Sequence, residues 1–271
     1  MIWARRSVGT LVTWYGRHGI ASCTLALLAL VGCGSRSDEG SEEPTVAPAP
    51  TEAVVEDKGP VCAGEAPQGG VHVLRGGGFQ LPGGAGVQYA EARAYGTTRE
   101  ATLREGVRYH SGQRQWKLGP GAQVTVSGHT YTVRQICSYR VVLEPRTAED
   151  RTALAAPPKS MESAGSPADA SLCFTTNQDV LAAAAAGFPA KGKFLALVAN
   201  GGVQRFPTGL SLTVSYVDTG TGTAGIAANC AAVQVAAYEN VHVGDPVEFA
   251  GVLFKVSALT EESVRLTRTS S

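Results

Sequence analysis

The sequence predicts a mostly β protein: two small antiparallel β-barrel or β-sandwich modules, related by tandem duplication, after an unstructured N-terminal linker. Three observations lead there. After residue 60, short runs of alternating apolar and polar residues end at Gly, Asn, Asp or Pro, the period-two signature of half-buried strands. Glycines and a proline recur at constant spacing: Gly76-Gly77 and Gly201-Gly202, Pro82 and Pro207, Gly84 and Gly209, and Gly119 and Gly244 each lie 125 residues apart. Helical periodicity is almost absent; only residues 180–186, with Asn177 as cap and Gly187 as stop, read as a short helix.

Taken in order, residues 1–32 resemble an export signal and residues 33–60 a tether. Residues 61–145 form the first β module, 146–168 a linker, and 169–271 the second module. The tether is Ser, Glu, Pro, Ala and Thr with almost no large apolar residue, so nothing offsets the entropy of ordering it. The linker carries Pro157-Pro158, Gly165 and Pro167. The clearest hairpin is Val124 to Val133, where apolar residues alternate on both sides of Gly128, a residue free to take positive φ. Its copy lies 123 residues on, since a connection two residues shorter intervenes: Val124, Val126, Gly128, Tyr131 and Val133 match Val247, Phe249, Gly251, Phe254 and Val256. The Gly76-Gly77-Gly78 run has no phosphate-loop lysine or helix start and reads as a flexible turn.

The N-terminal segment places Arg5, Arg6, Arg17 and His18 before an apolar run from Ile20 to Val31, of signal-peptide length and too short to span a bilayer. It ends Leu30-Val31-Gly32-Cys33, which resembles the lipobox of bacterial lipoproteins. That resemblance implies diacylglyceryl transfer to Cys33, cleavage between Gly32 and Cys33, export, and attachment to a membrane by lipid. Gly34 follows the cysteine, where aspartate would favour inner-membrane retention in enteric bacteria, so an outer membrane is the favoured address. The stretch around Val243-Gly244-Asp245 and Gly251 is also similar to small β domains of pilus-assembly lipoproteins and type II secretion components, over about 25 residues of mostly hairpin character.

Cys62, Cys137, Cys173 and Cys230 remain in the mature chain, two per module. An oxidising compartment and the module boundary favour Cys62 with Cys137 and Cys173 with Cys230. No Cys-x-x-Cys or His-x-x-x-His spacing suggests a metal site, and no cofactor motif occurs. Lys plus Arg and Asp plus Glu number 23 each, so net charge points to no partner class.

Catalytic signatures are missing: Gly-x-Ser-x-Gly, His-Glu-x-x-His and Ser-x-x-Lys do not occur in the mature chain. His72, His110, His129 and His242 are scattered and have no counterparts between the copies. One asymmetry stands out. The first module gathers Arg93, Arg99, Arg104, Arg108, Tyr109 and Trp116, where the second reads Gly220-Thr221-Gly222-Thr223. Basic and aromatic residues together suit an anionic glycan or an acidic protein face. With the lipobox resemblance, this predicts a lipid-anchored envelope protein with a non-catalytic binding or scaffolding role, and no nucleic-acid partner. An envelope hydrolase with a site between the modules and a purely structural surface lipoprotein are the alternatives.

Overall fold

The computed structural model describes Asp57 and residues 59–156, 174–206, 209–230 and 233–271. Cys33, the signal segment, nearly all of the tether and Cys173 lie outside the described residues. No helix among the described residues is long and apolar enough to cross a membrane.

In the first module, β1 (Cys62–Gly64), β2 (Val71–Leu74), β7 (Gln123–Val126), β8 (His129–Cys137) and β9 (Arg140–Pro145) form one sheet in the order β1-β8-β9-β2, with β7 also on β8. The second sheet is β3 (Gly78–Gln80), β4 (Gly86–Tyr95), β5 (Thr98–Glu105) and β6 (Gln115–Leu118), in chain order. Alternate residues of both sheets, among them Val73, Tyr89, Leu103, Val126, Tyr131, Val133 and Leu143, fill one core. The module is a β-sandwich, and Cys62 and Cys137 close a disulfide directly across the β1–β8 pair.

The second module repeats this arrangement for every strand except β1, which has no counterpart among the described residues. β10 (Phe194–Val198), β17 (Ser263–Arg268), β16 (Val252–Thr260) and β15 (Pro246–Phe249) form one sheet; β11 (Val203–Arg205), β12 (Leu210–Asp218), β13 (Thr223–Cys230) and β14 (Val233–Val241) form the other. Bulges recur as well. One lies at Tyr89/Glu91 and at Val214/Tyr216, the other at Val133/Gln135 and at Val256/Ala258. The second bulge explains why Ile136 follows Val133 by three residues and Leu259 follows Val256 by three: an extra residue on one strand resets which side chains face the core. The tight turns match too, with Ser127 and Gly128 at φ 49° and 88°, and Ala250 and Gly251 at 46° and 75°.

The structure corrects one sequence pairing. Gly121, not Gly119, is the counterpart of Gly244: both have positive φ, and their N–H groups donate to Val133 O and Val256 O. The two-residue contraction therefore falls earlier, in the β4–β5 hairpin. There the pairs Ala94–Arg99 and Tyr95–Thr98 extend beyond Arg93–Glu100, whereas the equivalent hairpin ends at Asp218–Thr223.

Two helices complete the fold. α2 (Gln178–Ala184) starts at Asn177, whose side chain accepts from the N–H groups of Asp179 and Val180, as the cap reading expects. α1 (Ala148–Ala155) occupies ground the sequence assigned to the linker. Thr147 caps it by accepting from Asp150 N–H, and Leu154 is buried in the first core. A single buried leucine on an otherwise polar segment leaves almost no hydrophobic period, so the breakers downstream dominated the sequence pattern. Cys230 is disulfide-bonded; its expected partner, Cys173, is outside the described residues.

The two sandwiches share cores and belong to one compact unit. Leu74, Cys137 and Tyr139 pack into the second core, and Val233 packs into the first. Arg75 O accepts from Ala237 N–H, and Gln234 Nε2 donates to Gly76 O. Gly76 and Gly77, read from sequence as a flexible turn, pack directly against the β14 backbone of the second module. A Cβ on Gly77 would stand 1.8 Å from Val235 O, and one on Gly76 2.5 Å from Ala237 O. Backbone oxygens cannot rotate away, so only glycine fits. Gly77→Ala is expected to destabilise the protein by about 1–3 kcal/mol in urea denaturation. Gly119→Ala, which meets nothing within 4 Å, should change stability by less than about 0.5 kcal/mol.

Candidate functional site

The module junction carries a buried ionic cluster and an open cleft. In the cluster, Glu248 sits on β15 between Val247 and Phe249, whose side chains enter the second core. Strand alternation turns Glu248 the other way, onto the first module, where it is 1% exposed. His72 Nδ1 lies 2.8 Å from Oε1 and Arg140 Nη1 donates to Oε2 at 2.6 Å, while Arg140 Nη2 donates to Gln135 Oε1 at 2.9 Å. Tyr238 hydroxyl donates to Glu248 O and accepts from Glu248 N–H. Burial alone would push the Glu248 carboxyl up; the hydrogen bonds and charges of His72 and Arg140 together outweigh it and hold the carboxyl below its ordinary value. Burial likewise pushes the Tyr238 hydroxyl well up, so it stays protonated and keeps donating. The crevice beside His72 and Glu248 has about 50 Å³ of room, enough for only a few solvent molecules.

The cleft is larger, about 530 Å³. Arg75, which follows β2, Arg104 on β5 and Arg108 in the β5–β6 loop line it from the first module; Gln234 and Glu239 line it from β14 of the second. The loop is held by one side chain. Gln113 Nε2 donates to Glu105 O at 2.6 Å and Arg108 O at 2.7 Å, and its Oε1 accepts from His110 N–H. Gln113 is buried, so these bonds are shielded from water and the loop is presented in one shape. Arg104 spreads over the Tyr109 ring, 5.1 Å from its centroid, and its Nε is buried with no hydrogen-bond partner among the described residues. Tyr109 is 68% exposed.

The six basic and aromatic residues singled out by sequence thus have separate fates. Arg104, Arg108 and Tyr109 converge on the cleft. Arg93 pairs with Glu91 on an exposed face. Arg99 is 3% exposed, bound to the Asp57 carboxylate and Pro60 carbonyl, and ties the start of the first module to β5. Trp116 packs against the first core with Arg114 stacked on it at 5.2 Å. The sequence did not single out Arg75, Gln113 or Glu239. Arg75 stands beside the triple glycine, but only docking against β14 makes that position part of a cavity.

The histidines remain dispersed. His129 Nδ1 is 2.6 Å from the buried carboxylate of Asp150, which pins α1 to the hairpin turn. His110 is exposed beside Ser111, and His242 stands next to Asp245 on the surface. Among the described residues, no three His, Cys, Asp or Glu side chains are grouped to hold a metal ion. No protein-family model, curated protein or solved structure matches the chain.

Because the folded Glu248 carboxyl titrates below its unfolded value, its contribution to stability is complete above the unfolded value and disappears as pH falls through the folded one. Thermal unfolding followed through the acid range should therefore show a loss of stability that Glu248→Gln removes. Glu248→Ala at neutral pH leaves Arg140 buried without its partner and should cost about 3–5 kcal/mol.

Proposed function

We propose that the protein is a lipid-anchored, non-catalytic binding protein of the cell envelope, and that the cleft at the module junction takes an anionic ligand. The observation that carries this reading is the convergence of Arg75, Arg104 and Arg108 on a cleft of about 530 Å³, within the size range of small-molecule sites. Guanidinium groups bind carboxylate, sulfate or phosphate through paired N–H donors, and a cleft wall of low dielectric strengthens the attraction. The tie through Gln113 holds the loop in its binding shape before the ligand arrives, which lowers the entropy cost of association.

The lipobox resemblance at Leu30-Val31-Gly32-Cys33 supports anchoring through Cys33, with the acidic linker lifting the sandwiches from the membrane and the outer membrane as the favoured site. If so, Cys33→Ser should move the protein from the membrane to the soluble fraction and abolish metabolic labelling with palmitate. Continued labelling of that variant would refute the anchor. For the cleft, Arg104→Ala and Arg108→Ala should each weaken anion binding by about 1.5–3 kcal/mol in titration calorimetry. Arg93→Ala, outside the cleft, should leave it unchanged.

A further inference from the structure

Resting on that reading of the cleft, we infer that its ligand is an acidic carbohydrate, a sugar bearing carboxylate or sulfate groups alongside free hydroxyls. The cleft is not uniformly cationic. Glu239 lies on the wall opposite the arginines and is the only carboxylate among the described residues lining it. Gln88 and Gln234 each commit their amide N–H₂ to backbone, at Gly106 O and Gly76 O, which fixes the amide orientation and leaves the side-chain oxygens as acceptors. An inorganic polyanion offers these three acceptors few donors or none and an acidic peptide little beyond its backbone N–H groups, and both place further negative charge against Glu239. A sugar acid meets both walls at once: its anionic group faces Arg104 and Arg108, and its hydroxyls donate to Glu239 and the glutamine oxygens.

Two further features favour the same class. Tyr109 shows a ring with one face covered by Arg104 and most of its surface open. A flat ring of this kind packs against the C–H face of a pyranose while the neighbouring guanidinium takes the acid. The site is also a concavity, which admits a chain of a few sugar rings and excludes the flat face of a folded protein.

The test is titration calorimetry of the lipidated full chain in detergent micelles. The probes are tetrasaccharides of galacturonate, of glucuronate and of a sulfated hexose, with maltotetraose, tetraglutamate and pyrophosphate for comparison. At least one acidic tetrasaccharide should bind about tenfold or more tightly than any of the three others, and Tyr109→Ala should weaken it about tenfold. Glu239→Gln is the decisive variant: it should weaken the acidic sugar yet strengthen tetraglutamate and pyrophosphate. If tetraglutamate or pyrophosphate binds as tightly as every acidic sugar, or if Glu239→Gln tightens all anions alike, the carbohydrate inference is overturned while the anion cleft stands. If maltotetraose binds as well as the acidic sugars, the acid requirement fails. Should no probe bind, or Arg104→Ala leave every affinity unchanged, the anion cleft itself is refuted.

Discussion

A carboxylate stripped of water between two β-sandwiches constrains most of what surrounds it. Glu248 can remain ionised there only because Arg140 and His72 reach it from the other module and Tyr238 satisfies its backbone. Removing a carboxylate from water costs several kcal/mol, and an approximate docking would leave that cost uncompensated. The pair therefore selects one orientation of the modules over its neighbours. In that orientation β14 runs close enough to Gly76 and Gly77 that no side chain fits between them, and the same approach closes the arginine cleft with Gln234 and Glu239.

Duplication supplied the frame and divergence supplied the junction. Strand order, both bulges and the Ser127-Gly128 turn recur in the second copy, because they are the features a two-sheet core needs. The ionic cluster does not recur. Strand register pairs Glu248 with Thr125, Arg140 with Ser263 and His72 with Ala196, so each copy provides half of the contact and none of the other half. The β5–β6 connection has diverged in the same complementary way. In the first module it is a loop pinned by Gln113 that carries Arg108 and Tyr109; in the second, β14 begins at Val233 and drives its first residues into the partner module.

Local features were legible in the sequence and nonlocal ones were not. The hairpin at Gly128 and the helix capped by Asn177 were readable because turn geometry and capping are settled within a few residues. Helix α1 escaped, since its stability comes from Leu154 and from Asp150 meeting His129, contacts invisible to a periodicity. The arginine cluster was half legible. Composition marked the segment, but whether each arginine would face the cleft, pair in solvent or be buried depended on which strand face it occupied and what lay beyond it. Arg99 shows the difference, since a residue read as a binding group is a buried brace for the start of the module.

By itself the sequence determined the β class, the repeated unit and the hairpin turns, because alternation and glycine spacing act through short-range geometry, and it favoured the Cys62–Cys137 pairing that the structure shows. Only the tertiary structure decided what the outward faces of the strands do. Alternation says that Glu248 points away from its own core. It does not say that a second core lies on that side, and burial there converts a surface residue into the ion that orients the modules. The cleft is decided at the same level, since Arg75, Arg104 and Glu239 are far apart in the chain and share a cavity only once the modules dock.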